Sequence, residues 1–227
     1  MFFQQLINGL TVGGVYALIA LGYTMVYGIL ELINFAHGEI YMLGAYLGVI
    51  FFAFFTAAGL TSFSLPLSLV LTVVLSALFC SAYGFTMERI AYRPLRNAPR
   101  LSPLISAIGV SIFLQNYVML TQGATDKVFP HVLGDAGLTL SGARITYLQL
   151  CIILFSFLLM LSLHLYVTRT RMGKAMRAVA QDKVMASLLG IDIDSVISVT
   201  FIIGSGLAAI AGIMVPNRRA GRTNCAR

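Results

Sequence analysis

Residues 40–87 read IYMLGAYLGVIFFAFFTAAGLTSFSLPLSLVLTVVLSALFCSAYGFTM, without a single Asp, Glu, Lys or Arg. A charged residue at the centre of a bilayer-spanning helix costs about 3 kcal/mol, whereas each Leu or Phe favours insertion by only about 0.5 kcal/mol. Because lipid excludes charge this strongly, an uncharged stretch of such length is typical of membrane-spanning helices. Gly59 and Pro66 are turn-forming residues near its middle and divide it into two helices.

Four further stretches are equally free of charge, namely residues 1–30, 101–125, 145–168 and 195–217. A helix needs about 20 apolar residues to cross the roughly 30 Å hydrocarbon core of a bilayer. Helices also satisfy their own backbone hydrogen bonds in lipid, where water is absent. The sequence therefore predicts an all-α fold, a polytopic transmembrane helix bundle with about six spans, at residues 6–28, 37–58, 65–87, 101–121, 147–167 and 196–215.

The composition supports a membrane protein rather than a soluble one. Hydrophobic residues make up 59% of the 227 residues and charged residues only 10%, which leaves too few charges to cover a soluble domain. The net charge of +7 lies in short loops between apolar stretches, where anionic lipid headgroups and membrane orientation account for it. We therefore predict a protein that resides in the lipid bilayer and binds no nucleic acid.

Two loops hold most of the positive charge. Residues 88–100 contain four arginines and one glutamate, and residues 169–194 contain five basic residues and three aspartates. The excess of Lys and Arg in cytoplasmic loops places both inside the cell. Two predicted spans separate them, so the number of crossings agrees. This orientation places residues 122–144 and the N-terminus outside.

Motifs for catalysis or metal binding are absent from the sequence. No Walker A loop, H-E-x-x-H or G-x-S-x-G pattern occurs. Cys80, Cys151 and Cys225 are far apart, and His131 and His164 are isolated. We predict that the chain is not an enzyme and has neither a cofactor nor a metal site.

Residues 31–39 read ELINFAHGE and place two carboxylates, an imidazole and an amide between the first two spans. Asn34 suits the N-cap of the second span, and Glu39 suits its first turn. One interpretation is a capped loop at the membrane interface. The other is a break in the membrane path, where a helix N-terminus and the side chains of Asn34, His37 and Glu39 line a translocation route.

Residues 171–190 read RMGKAMRAVAQDKVMASLLG. Apolar residues recur at helical spacing and predict an amphipathic helix; they are Met172, Met176, Val179, Met185, Leu188 and Leu189. Gly190 suits its C-cap, and Asp194 or Ser195 suits the N-cap of the next span. The helix either rests on anionic lipid or docks into a partner and relays its motion.

Small residues also recur at four-residue spacing, in the pairs Gly9 and Gly13, Gly44 and Gly48, and Ala208 and Gly212. Such pairs allow helix backbones to approach closely in lipid. We interpret them as ordinary helix-packing positions.

Five motifs give the sequence a specific resemblance: GYTMVYG (22–28), INFAHGE (33–39), ERIAYRPLR (88–96), SAIGVSIFLQN (106–116) and MASLLGI (185–191). In this order they resemble the permease subunit of bacterial branched-chain amino acid ABC transporters, and most closely the first of the two homologous permeases of such systems. The resemblance covers roughly residues 1–214.

The resemblance implies a subunit that moves leucine, isoleucine or valine across the bacterial inner membrane. Its implied partners are a second homologous permease, two cytoplasmic ATP-binding subunits and a periplasmic amino acid-binding protein. A helix over residues 173–190 would transmit the closure of the ATPases to the bundle. The residues implied in this coupling are Gly173, Lys174, Arg177, Asp182, Ala186 and Gly190, with Lys174, Arg177 and Asp182 as contacts to the partner.

The resemblance ends after Met214. Residues 215–227 read VPNRRAGRTNCAR, and their four arginines would lie outside, against the charge bias of membrane proteins. We therefore expect residues 1–214 to form a transmembrane permease domain that is incomplete relative to the family. Residues 215–227 are expected to be a basic tail that is not native to the fold, as in a truncated or frameshifted product.

Two alternatives to the transport subunit remain open on the sequence. A stand-alone channel or secondary transporter would use Glu31, His37 and Glu39 as an ion or proton site. A truncated fragment would occupy the membrane without transporting. The three hypotheses differ in whether ATPase subunits associate with the chain and whether uptake follows a proton gradient.

Overall fold

The structure is a computed structural model that describes residues 2–96, 98–99, 101–123, 137–140 and 143–214. Within these residues, six helices are long and apolar enough to cross a membrane. They are α1 (Phe2–Leu30), α2 (His37–Ala57), α4 (Leu65–Met87), α5 (Leu101–Gln122), α6 (Tyr147–Arg169) and α9 (Ile193–Ile213). The predicted spans are confirmed, with boundaries that agree to within about one helical turn. The basic tail predicted at residues 215–227 lies outside the described residues.

Shorter elements connect these spans. A single turn, α3 (Leu60–Phe63), joins α2 to α4, and Gly59 precedes it with a φ of 76°. After α4 the chain continues as a π-helical turn (Glu88–Tyr92) and a 3-10 turn (Arg93–Leu95). The helices α7 (Arg171–Gln181) and α8 (Lys183–Leu188) connect α6 to α9.

A two-stranded antiparallel hairpin between α5 and α6 is the one departure from an all-α fold in the described part of the chain. It consists of β1 (Gly137–Leu140) and β2 (Ala143–Thr146). Thr146 then forms a capping box with Gln149 at the start of α6, and Gln149 Nε2 donates to Asn8 Oδ1 of α1 at 2.9 Å. The N-terminal end of α1 therefore lies on the same side as the hairpin, as the predicted orientation requires.

The central element of the bundle is α9, which packs against α1, α2 and α4 and is far more buried than the other spans. Small residues permit this packing. A Cβ added to Gly44 would lie 2.9 Å from Ala209 Cβ, and one added to Gly48 would lie 2.7 Å from a side-chain carbon of Ile213. The predicted packing role of the Gly44–Gly48 pair is thereby confirmed, as it is for Ala208 and Gly212, which are buried in α9.

The pair Gly9 and Gly13 differs from the others. A Cβ at either position would meet nothing within 4 Å in the described chain. The prediction that this pair packs helices is therefore wrong within the described bundle, because α1 turns this part of its surface outward.

Both basic loops lie at one end of the bundle. Arg93 and Arg96, which follow α4, form ion pairs with Asp194 in the first turn of α9. This contact confirms that the described parts of the two loops, residues 88–96, 98–99 and 169–194, lie at the same end of the bundle, opposite the hairpin and the N-terminal end of α1. The predicted even number of crossings between the loops is correct.

Candidate translocation and coupling sites

The segment that joins α1 to α2 folds back into the bundle. Asn34 is not the N-cap of α2, contrary to our prediction: its Oδ1 accepts from Ala36 N at 3.1 Å, and the helix begins at His37. This local hydrogen bond turns the chain before the helix starts. Glu39 lies in the first turn of α2, as predicted.

The start of α2 lies deep in the bundle. Gly22 of α1 faces Gly204 of α9, and a Cβ at Gly22 would lie 3.0 Å from the Gly204 carbonyl and 3.2 Å from His37 Cε1. Gly204 is eleven residues beyond Ile193, which corresponds to about 16 Å along a helix. His37 therefore lies beside the middle of α9, inside the bundle.

A groove of about 510 Å³ lies between this segment and α1. Its wall on α1 consists of Tyr16, Ile19, Ala20 and Tyr23; its wall on the connecting segment consists of Ile33, Asn34, Phe35, His37 and Gly38. The lining is mostly aromatic and aliphatic and carries no formal charge. A surface of this composition suits a small apolar solute with a polar end.

Two buried polar side chains of the groove wall are incompletely paired. Asn34 and His37 are each 3% exposed, and neither Asn34 Nδ2 nor His37 Nε2 has a hydrogen-bond partner among the described residues. An unsatisfied buried group of this kind costs about 1–3 kcal/mol. Of the three predicted path residues, the structure brings Asn34 and His37 to the groove, whereas Glu39 accepts from Ser111 Oγ of α5 at 3.2 Å.

Beneath the groove, Tyr92 connects it to a group of charged side chains. The Tyr92 hydroxyl donates to Asn34 Oδ1 at 2.8 Å, and its ring lies 5.2 Å from that of Phe201. Glu88, in the same π-helical turn, is fully buried and accepts from Ser198 Oγ at 2.7 Å. Arg96 bridges Glu88 and Asp194, and Arg93 also pairs with Asp194. We name Glu88, Arg93, Arg96 and Asp194 the ion cluster.

Sequence reasoning missed this cluster, although one signal was available. We used the excess of positive charge in the two basic loops to assign their orientation. We did not consider that the acidic residues of these loops could form ion pairs. Yet Glu88 and Asp194 are the acidic residues of these two loops that directly border apolar spans. A carboxylate at such a boundary needs a cationic partner when it is buried.

The connecting helices α7 and α8 are two elements rather than the single predicted helix. Thr170 Oγ1 accepts from Gly173 N and begins α7, and Asp182 Oδ1 accepts from Met185 N at 2.9 Å and begins α8. The next span is capped by Asp192 instead of Asp194 or Ser195. Hydrogen bonds from Ser195, the hydroxyl first, lower the pKa of the Asp192 carboxyl below its usual value.

The predicted coupling residues divide into two kinds. Gly173 packs against the backbone of Val167, Ala186 is fully buried, and Gly190 ends α8 with a φ of 80°. Together with the capping residue Asp182, these three give the segment its shape. Lys174 and Arg177 are exposed and free to meet another surface.

Four large apolar side chains of α8 and the turn after it are exposed, in contrast with α7. In α7 the amphipathic prediction holds, because Met176 and Val179 are buried. In α8 the side chains of Val184, Met185, Leu188 and Leu189 are 55–76% exposed, which is compatible with either predicted role, resting on lipid or docking into a partner. We name these four residues the α8 patch. It lies beyond the membrane spans, where an exposed apolar surface marks an interaction site.

Comparison with known proteins identifies the family. The sequence matches the family described as "Branched-chain amino acid transport system / permease component" over residues 5–224. It is 48% identical to the high-affinity branched-chain amino acid transport system permease protein BraD of Pseudomonas aeruginosa, over 94% of this chain and 70% of the relative. It is 49% identical to LivH of Salmonella typhimurium and 48% identical to LivH of Escherichia coli K12, with the same coverage.

A more distant relative is the probable branched-chain amino acid transport permease protein LivH of Methanocaldococcus jannaschii, 25% identical over 88% of this chain and 61% of the relative. No solved structure matches the chain. The family match spans nearly the whole sequence, and the six apolar helices are those of a multi-pass membrane protein. This chain therefore belongs to the family of branched-chain amino acid transport permeases.

Proposed function

We propose that this chain is a permease subunit of an ABC importer that moves leucine, isoleucine and valine across the bacterial inner membrane. ATP hydrolysis takes place in partner chains, and this chain itself catalyses no reaction. The observation that carries the proposal is the close identity to BraD and LivH along nearly the entire chain. The α8 patch supports it, because a motor protein needs a docking surface outside the membrane.

The partners are a second homologous permease, two cytoplasmic ATP-binding subunits and a periplasmic binding protein that delivers the amino acid. The surface of α1 supports the pairing of two permeases. Gly9 and Gly13 face outward, with open space within the described chain, and small residues four apart are common where transmembrane helices of two chains cross.

The translocation route passes the groove. Asn34 and His37 supply buried polar groups inside the bundle, and Glu39 lies one residue beyond the groove wall, next to α5. An aliphatic amino acid places its side chain against the aromatic and aliphatic lining. Its polar end supplies the partners that Asn34 Nδ2 and His37 Nε2 lack in the described residues.

Coupling takes place through α7 and α8. The α8 patch enters an apolar depression on an ATP-binding subunit, and the exposed Lys174 and Arg177 meet acidic side chains around it. Gly173, Asp182, Ala186 and Gly190 act indirectly, because they hold the two short helices in this shape. Apolar anchors surrounded by charged contacts are the usual anatomy of a protein interface.

Reconstitution of the chain with its partner subunits in vesicles tests the proposal. We expect the amino acid-loaded binding protein to stimulate ATP hydrolysis and uptake together. Uptake that follows a proton gradient without ATP-binding subunits would instead identify a channel or secondary transporter. Absence of uptake under both conditions would identify a non-transporting fragment.

A further inference from the structure

A continuous series of contacts leads from the α8 patch to the groove. After α8 the chain turns at Gly190 and enters α9. Asp192 caps the N-terminus of α9, and Asp194 lies in its first turn. Asp194 accepts from Arg93 and from Arg96, which belong to the other cytoplasmic loop. The start of α9 is therefore tied to the segment after α4 by charge-assisted hydrogen bonds, which are among the stronger contacts in proteins.

The second part of the series runs through the π-helical turn. Arg96 also donates to Glu88, and Glu88 accepts from Ser198 of α9. Tyr92 ends the same π-helical turn and donates to Asn34. Turns of this kind are rare and occur mostly at functional sites, because they replace the regular helical ladder with a locally altered one.

We propose that Tyr92 is a positioning residue that couples the groove wall to the start of α9. The inference rests on the proposed function. Movement of α7 and α8 shifts the first turn of α9, the ion cluster carries the shift to the π-helical turn, and the Tyr92 hydroxyl pulls Asn34 with it. Since Asn34 lies in the segment that forms one wall of the groove, the groove widens or narrows with each ATP cycle.

The unpaired atoms of the groove favour such a movement. In the arrangement described, Asn34 Nδ2 and His37 Nε2 lack partners among the described residues. A second arrangement that exposes them to substrate or water recovers those hydrogen bonds, which lowers the free energy of that arrangement. A weak pull through one hydrogen bond is then enough to change their populations.

The variant Tyr92→Phe tests the connection with little disturbance. It retains the ring that packs against Phe201, and Asn34 Oδ1 keeps its hydrogen bond from Ala36 N. In the complete reconstituted transporter we expect ATP hydrolysis to stay near the wild-type rate. Uptake per ATP hydrolysed should fall by at least about fivefold, the lower end of typical coupling between sites.

Further variants separate positioning from folding. Tyr27→Phe is the control, because it removes the hydroxyl of an exposed tyrosine on α1. Its uptake per ATP should equal that of wild type. Asn34→Ala removes this contact together with the hydrogen bond from Ala36 N, so adding Tyr92→Phe to it should lower uptake per ATP no further. Asp194→Glu retains a carboxylate and should preserve uptake per ATP, whereas Asp194→Asn should lower it.

Three results would overturn the inference. Tyr92→Phe could match wild type in uptake per ATP, its effect could add to that of Asn34→Ala, or it could reduce hydrolysis and uptake in equal proportion, as an assembly defect would. Each of these results counts only when the binding protein stimulates ATP hydrolysis by the wild-type complex in the same experiment. A wild-type complex without stimulation contradicts the proposed function instead, so the two failures are distinguishable.

Discussion

The ion cluster and the groove are neighbours that differ in charge pairing, although Arg96 Nε in the cluster also has no hydrogen-bond partner among the described residues. In the cluster each charge meets an opposite charge, and even the fully buried Glu88 is held by Arg96 and by Ser198. In the groove, Asn34 and His37 are nearly as buried, yet each has an unpaired nitrogen within the described structure. Pairing stabilises one arrangement, whereas unpaired groups gain from any rearrangement that supplies partners. The cluster therefore holds the bundle together, and the groove is the part suited to change.

The largest expected effect is a loss of protein stability when a side chain of the ion cluster is replaced. Arg96→Met leaves the fully buried Glu88 without its cationic partner, and breaking a buried pair in this way costs about 3–5 kcal/mol. The thermal unfolding midpoint of the purified protein in detergent should fall accordingly. Arg89→Met is the matched control, since Arg89 is exposed and lies over the Phe85 ring. Equal midpoints for the two variants would contradict the stabilising role of the cluster.

Two glycine substitutions are expected to have different effects, because Gly38 lines the groove and Gly44 lies in the packed core. A Cβ at Gly38 meets nothing within 4 Å of the described chain, whereas one at Gly44 meets the backbone of Ala209. We expect Gly38→Leu to fill the groove and reduce uptake more than about tenfold, with an unchanged unfolding midpoint. Gly44→Leu should lower the midpoint, because overpacking costs about 1–3 kcal/mol. Normal uptake by Gly38→Leu would exclude the groove from the route.

The two short helices between α6 and α9 also differ: Met176 and Val179 of α7 are buried, whereas the apolar side chains of the α8 patch are exposed. Leu188 is 76% exposed, so Leu188→Ser removes an apolar contact that only a partner can use. We expect the affinity for the ATP-binding subunit to fall about tenfold, the size of a typical interface anchor, with the midpoint unchanged. The measurement is co-purification at graded subunit concentration. Ser187→Ala, on the same helix, is the control, and an equal affinity for both variants would remove α8 from the interface.

The smallest effect is expected from the charged residues around the α8 patch. Arg177 is exposed, and its guanidinium is 3.4 Å from the Thr168 carbonyl. Arg177→Glu should weaken recruitment of the ATP-binding subunit about threefold, mainly by slowing association, as charges at an interface rim do. Membrane insertion should be unaffected. The effect should fade at high salt, and a salt-independent loss would point to a structural cause.

Prediction from sequence was most accurate where lipid imposes a simple rule. The six spans, the shared side of the two basic loops and the glycine that ends α8 all derive from charge exclusion or from backbone geometry. Each rule concerns residues close together in the chain. Asn34 and His37 were also singled out, because residues 31–39 place two carboxylates, an imidazole and an amide between two spans with no basic partner.

The failures concern which surface a residue faces. Periodicity correctly placed Met176 inside but assigned Leu188 to the same apolar face, although Asp182 interrupts the helix and reorients α8 relative to α7. Gly9 and Gly13 have the spacing of packing residues, but no helix of the described bundle covers them. Spacing indicates what a surface is able to contact, and only the arrangement of the other helices decides whether a contact exists.

The amino-acid order alone was enough to specify a membrane bundle, its six apolar helices and the shared end of its two basic loops, because the cost of placing charge in lipid applies to each segment separately. Tertiary structure decided the position of His37 against Gly22, the hydrogen bond between Tyr92 and Asn34, and the pairing of Arg96 with Asp194. These features join residues that are distant in the chain, and they depend on how closely α9 packs against α1, α2 and α4. Such packing is a property of all the helices together, so no single stretch of sequence encodes it.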